Sequence, residues 1–112
     1  MDGIGAAVEV LGDRWTLLIL RDIIFDDRRH FRALLLGSPE GIASNILADR
    51  LVKLVETGIL ARGTAMRGQR ARYNLTEAGI QTVPVLYALG AWAGAELPEQ
   101  QQLVDELRAR HL

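Results

Sequence analysis

The segment that most limits what this chain can become is WTLLILRDIIF, Trp15 to Phe25. Its apolar residues are cut by Arg21 and Asp22. A membrane span needs about 20 apolar residues in succession, and no stretch of the chain approaches that. A buried strand of four to eight residues is conceivable, but the segment covers eleven positions and is rich in leucine and isoleucine. It follows Asp13, a helix-start residue, so helix is the better reading. Trp15, Leu18, Ile19 and Ile23 share one broad face, and Leu17, Leu20 and Ile24 widen it. A helix apolar over most of its surface is buried on most sides. This is the expected central core helix, and the rest of the chain must cover it.

The 112 residues suffice for one domain. With 49% hydrophobic and 24% charged residues, the chain has the balance of a folded domain, and 5% aromatics leave the core mostly aliphatic. There is no cysteine, which excludes disulfides, thiolate metal sites and a cysteine nucleophile within this sequence. His30 and His111 are far apart and lack HxxxH or HExxH spacing, so no metal or cofactor is expected. No basic region followed by an apolar core opens the chain, so a cytoplasmic protein without membrane contact is expected. The net charge of −1 is unevenly spread. Ile59 to Leu75 holds Arg62, Arg67, Arg70 and Arg72 and no acid. Glu96 to Glu106 holds four acids and no base. A basic patch in a neutral chain is the footprint of a nucleic-acid contact.

Ahead of the core helix, Ile4, Ala7, Val8 and Leu11 fall on one helical face, with Gly12 placed to end that helix and Asp13 to cap the next. Beyond the core helix, Asp26 to Arg29 is charged and turn-like, and Phe31 to Leu36 makes a short helix. GSPEG, Gly37 to Gly41, is a turn signal. Ile46, Leu47, Leu51, Leu54 and Val55 then repeat at helical spacing, with Ser44 as expected N-cap and Gly58 as stop. ILARGTA and ARYNLT flank the basic MRGQR, as a β-hairpin with a basic tip would. Thr76 is expected to cap a helix from Glu77 to about Glu96, kinked or broken near Val83 by Pro84. After Pro98, Leu103, Val104, Leu107 and His111 form a narrow apolar stripe of the kind that packs on another chain or on the domain edge.

Two helices joined by a tight turn and followed by a hairpin make a winged helix-turn-helix. The fold expected is mainly α with a small β-hairpin, as a single domain over 1–112. The helix-turn-helix spans about 31–57 and the wing about 59–75, with extra helices at about 2–11 and 77–111. The segments VEVLGDRWTLLILRDIIF, RRHFRALL, GIASNILADRLVKLVETGIL and YNLTEAG, in this order and spacing, resemble the HxlR-type winged helix-turn-helix transcriptional regulators of bacteria. The similarity runs from about Val8 to Trp92. It implies a homodimer on operator DNA, each subunit giving one recognition helix and one wing, with the extra helices dimerising. A palindromic operator follows, with recognition helices about 34 Å apart. A small-molecule effector would have no specified chemistry. Members of the family typically carry a cysteine before the core helix; this chain has none.

The candidate DNA contacts follow from position. Ser44, Asn45 and Ala48 open the second helix, where Ser44 and Asn45 suit base edges or phosphates and Ala48 a thymine methyl. Ser44 also serves as a cap. Arg50 reaches either a phosphate or an acid, among them Asp49, Glu56 and the preceding helix; Lys53 lies beyond it. Asp49 must turn from DNA or pair with an arginine. Arg67, Gln69, Arg70 and Arg72 are the wing candidates, with a solvated charge run as alternative. Arg28, Arg29 and Arg32 are placed for the DNA backbone. Trp15, Trp92, Tyr87 and Phe25 read as core or dimer packing, and His30 as a turn residue. No G-x-S-x-G, phosphate loop or paired catalytic carboxylate motif points to an enzyme. The competing reading is a winged-helix module that binds protein, which the acidic C-terminal stretch supports.

Overall fold

The computed structural model describes residues 2–65 and 69–112. Seven helices and one hairpin follow in the order α1 (Gly3–Leu11), α2 (Arg14–Asp26), α3 (Phe31–Gly37), α4 (Ser44–Glu56), β1 (Leu60–Arg62), β2 (Tyr73–Leu75), α5 (Glu77–Ile80), α6 (Val83–Trp92) and α7 (Gln100–His111). The expected mainly helical winged architecture is present. No helix among the described residues is long and apolar enough to cross a membrane.

The start of α2 is set by Asp13, whose carboxylate accepts from the Thr16 amide at 2.9 Å and the Thr16 hydroxyl at 3.1 Å. Asp27 ends the helix in the left-handed region, at φ 53°. Leu20, Ile23 and Ile24 are buried, and α2 packs against α3, α4 and α6. It is the core helix that its composition predicts. Asp22 is buried on it as well. Burial pushes its carboxyl up, against the pull of Arg21 at 2.9 Å and Arg28 at 3.5 Å.

The core closes from the other elements. Leu34 of α3, Leu47, Leu51 and Leu54 of α4, Leu60 and Leu75 of the hairpin, Ile80, Val83 and Leu107 join one buried cluster. The hairpin is short and antiparallel, with Leu60 opposite Leu75, Ala61 opposite Asn74 and Arg62 opposite Tyr73. Gly58 ends α4 at φ +80°, a conformation open to glycine.

Two local expectations are corrected. Ser44 is not the cap of α4: Ala43 occupies that position without a side-chain hydrogen bond, and Ser44 is the exposed first helical residue. The helix from Glu77 is broken before Val83, as expected, but it does not run to Glu96. Thr76 caps the one-turn α5, and Pro84 lies in the first turn of α6, where its missing N–H removes no helical hydrogen bond. That second helix stops at Trp92, followed by Gly94 at φ +77°. Of the two alternatives open for the stripe of α7, the structure shows packing on its own domain: α7 packs on α5, α6 and β2, and Leu103, Leu107 and His111 are buried. Trp92, by contrast, is 90% exposed and is not a core residue.

Candidate nucleic-acid interface

Helix α4 buries Leu47, Leu51 and Leu54 and turns Asn45, Ala48, Asp49 and Val52 outward, an i, i+3, i+4, i+7 set. Ser44 and Lys53 are exposed beside them. The expected reading face is therefore a continuous solvent-facing surface, held by α2 and α3 behind it.

Arg50 is not free to reach outward. Its Nε donates to Asp13 Oδ2 at 2.8 Å, and its terminal nitrogens donate to Asp13 Oδ1 at 3.2 Å and Asp49 Oδ2 at 2.7 Å. The Arg50 guanidinium holds the Asp13 carboxyl down at about 2. Of the alternatives open for Arg50, the structure shows pairing with acids: it ties α4 to the cap of α2. Asp49 meets Lys53 at 3.1 Å as well, and this hydrogen bond first, then Arg50, lowers its pKa. Asp49 is thus neutralised where it stands near the reading face.

Arg28 and Arg29 diverge. Arg28 is half-buried between Asp22 and Asp26. Arg29 is 8% exposed. Its guanidinium donates to the side-chain oxygen of Asn74, to the Arg110 carbonyl at 3.1 Å and to the Tyr73 carbonyl at 3.5 Å. Its backbone carbonyl accepts from the Tyr73 amide at 2.7 Å. This arginine bolts the α2–α3 connection to β2 and α7, and its burial withdraws it from any DNA backbone. His30 also has a partner: its Nδ1 lies 3.0 Å from the Ala71 carbonyl.

On the hairpin, Gln69, Arg70 and Arg72 are exposed. Arg67 lies outside the described residues. Arg70 shares a depression of about 290 Å³ with Arg32 from the start of α3, Arg62 from β1, and Phe31 and Tyr73. Among the described residues, Arg32, Arg62, Arg70 and Arg72 have no ion-pair partner. Three of these guanidinium groups, those of Arg32, Arg62 and Arg70, sit beside the apolar walls of the depression and make a surface suited to phosphate oxygens. Sequence reading counted Arg62 in the basic patch but not among the wing contacts. Its place depends on the register that sets it opposite Tyr73, and a hairpin loop of ten residues leaves that register open.

A second tie lies under the turn between α3 and α4. Arg21 grips Glu40 with two hydrogen bonds of 2.7 Å, and Ser38 Oγ donates to Glu40 at 3.4 Å. The Arg21 hydrogen bonds hold the Glu40 carboxyl down at about 2. Arg21 and Glu40 lie 19 residues apart, and nothing in the local sequence pairs them.

Helix pair, turn and basic hairpin together define a winged helix-turn-helix domain. The chain belongs to the HxlR-like helix-turn-helix family, whose profile matches residues 10–101. Relatives from Mycobacterium bovis and Mycobacterium tuberculosis, named as HTH-type transcriptional regulators, are 37% identical over 108 residues. The match covers 96% of this chain and 66% of theirs, so the chain spans about two-thirds of the length of these curated relatives. A crystal structure of a protein described as a transcription factor superposes with a TM-score of 0.73 at 35% identity, over 82% of this chain and 63% of that one. The reduced form of the transcriptional regulator YodB from B. subtilis superposes at 0.68 with 29% identity, over 83% of this chain and 90% of that one.

Proposed function

We propose that this domain binds double-stranded DNA as the reading unit of a homodimeric transcriptional regulator. The observation that carries the proposal is the set of unpaired arginines, Arg32, Arg62, Arg70 and Arg72, on the same helix-turn-helix and wing that leave the outer face of α4 open. In this reading Ser44, Asn45 and Ala48 meet base edges in the major groove, which admits a helix. Lys53, Gln69, Arg70 and Arg72 meet phosphates, and Arg67 belongs to the same wing. Arg50 acts on DNA only through the orientation of α4. The family's regulators and the names of the mycobacterial relatives support the regulatory role.

Homodimer formation is supported by exposed apolar side chains: Ile4 and Val8 on α1 and Val85 and Leu89 on α6 flank a groove of about 420 Å³, and Trp92 at the end of α6 is exposed as well. A second copy seated there would set two reading helices on a palindromic operator.

Fluorescence anisotropy with genomic DNA fragments tests the proposal. Affinity should fall steeply with salt, by about 0.9 in log–log slope for each phosphate contacted. Absence of salt-sensitive binding to any fragment at micromolar protein would favour a protein-binding module instead.

A further inference from the structure

The acidic stretch from Glu96 onward plays no part in the DNA reading, and a second cavity stands against it. Between α2, α6 and the 95–98 connection lies a cavity of about 640 Å³. Leu17, Leu18, Phe25, Leu86, Leu89 and Leu97 form its apolar lining. That volume and lining suit a drug-sized organic molecule. The walls are fixed in advance. The Tyr87 hydroxyl donates to the Pro98 carbonyl at 2.7 Å, the Ala95 amide donates to the Gly90 carbonyl at 2.9 Å, and the Phe25 and Tyr87 rings lie 5.8 Å apart. Gly90 lets Leu97 close over the helix, since a Cβ there would come within 2.8 Å of its Cδ1.

The charge of the lining selects the occupant. Three charged residues line the cavity: Arg21, Asp26 and Glu96. Arg21 is fully answered, with two hydrogen bonds to Glu40 and a third to Asp22. It therefore offers an anion little. Asp26 has only a 3.4 Å contact with Arg28, and Glu96 has no ion-pair partner among the described residues. The rim carries excess negative charge over an apolar floor, with the aromatic Phe25 in the wall. An organic cation with an apolar body satisfies all three features, because ring faces and carboxylates both attract positive charge.

We propose that this cavity is a binding site for a lipophilic organic cation, seated on Phe25 and the leucines with its charge toward Asp26 and Glu96. Because Arg21 is both a wall of the cavity and the clamp on Glu40, an occupant presses on the group that holds the turn before α4. Binding itself does not depend on the DNA-binding reading.

Isothermal titration with tetraphenylphosphonium and its size-matched opposite, tetraphenylborate, tests the site. The cation should bind saturably and at least about tenfold more tightly than the anion. Glu96→Gln should weaken it about threefold, and the double variant Asp26→Asn/Glu96→Gln about tenfold, as expected for partly exposed charges. Ala95→Trp, an exposed position on the rim, should fill the cavity and abolish binding while circular dichroism shows the fold unchanged. Equal affinity for both ions, or a folded double variant that binds the cation as before, overturns the proposal. So does the absence of saturable heat up to about 1 mM probe, roughly −4 kcal/mol of binding. A dimer in sedimentation that gives no heat would assign the groove to a second copy instead.

Discussion

Asp13 serves two partners at once, the amide that opens α2 and the guanidinium of Arg50 on α4. Replacing it with alanine should cost about 1–2 kcal/mol in urea denaturation, mostly from the lost cap, because the ion pair is partly open to water and screened. Asp13→Asn keeps a capping oxygen and should recover most of that loss. Arg29 and Arg70 separate structure from contact. Arg29→Ala leaves Asn74 and the Arg110 carbonyl without their donor and should cost about 2–3 kcal/mol, with no change in the salt slope of DNA binding. Arg70→Ala should leave stability unaltered and lower that slope by up to about one unit. His111 sets the acid limit. Its Nδ1 accepts from the Leu75 amide at 2.8 Å, and its buried Nε2 has no hydrogen-bond partner among the described residues. Burial, then the nearby Arg29 charge, with Arg110 and Arg72 adding and Asp27 opposing, lowers its pKa to about 4. A lowered folded pKa means that the unfolded chain takes up the proton first. Stability is full above about pH 6.5 and falls as pH drops toward 4, by at most about 1.4 kcal/mol per pH unit. Asp13 and Glu40, held at about 2, add a second loss below their ordinary values. His111→Gln should flatten the first window in denaturant midpoints measured from pH 7 to 4 and leave the second.

The junctions between elements rest on glycines with distinct jobs. Gly58 turns the chain out of α4 at φ +80°, so Gly58→Ala should cost about 1–2 kcal/mol. At Gly79 the backbone angle is ordinary but space is absent: a Cβ would meet the Ile59 carbonyl oxygen at 2.2 Å. Gly79→Ala should therefore push α5 off the Ile59 backbone just before β1 and cost about 2 kcal/mol or more, read as a lower thermal midpoint. The first of these glycines was legible in the sequence as a stop after a periodic helix; the second was not, because its constraint comes from the Ile59 backbone, twenty residues away. The same division runs through the molecule. The core helix, the helix pair and the hairpin were legible from apolar spacing and local punctuation at Gly12, Asp13, Thr76 and Pro84. The Arg50–Asp13, Arg21–Glu40 and Arg29–Asn74 ties were not, since each joins residues 19 to 45 positions apart and sequence does not say which exposed-looking arginine turns inward. The candidate reading face needed only the period of α4, whereas Arg62 needed the hairpin register.

At the scale of the whole molecule, the basic depression on α3 and the hairpin and the apolar edge of α1 and α6 are separate surfaces. The proposed dimer should be broken by Ile4→Glu with Trp92→Ser, both largely exposed in the single chain. Sedimentation should then show a monomer that still unfolds cooperatively, at a melting point no longer dependent on protein concentration; a persisting dimer would place the interface elsewhere. Loss of the dimer should weaken binding to a two-half-site DNA far more than to one half-site, since the second contact is no longer intramolecular. The Arg29 bolt has a consequence for how the domain is made. It joins the α2–α3 connection to the Arg110 carbonyl, 81 residues later in the chain. Contacts of such long separation close late in folding, and a chain emerging from the ribosome folds from its N-terminal side first. Helices α2 to α4 can pack while synthesis continues, and Arg29 can already hold Tyr73 and Asn74 of β2, but its bond to α7 waits until Arg110 has been added and has left the exit tunnel. For that interval the nascent protein carries its reading helix and wing with the C-terminal helix not yet locked beneath them.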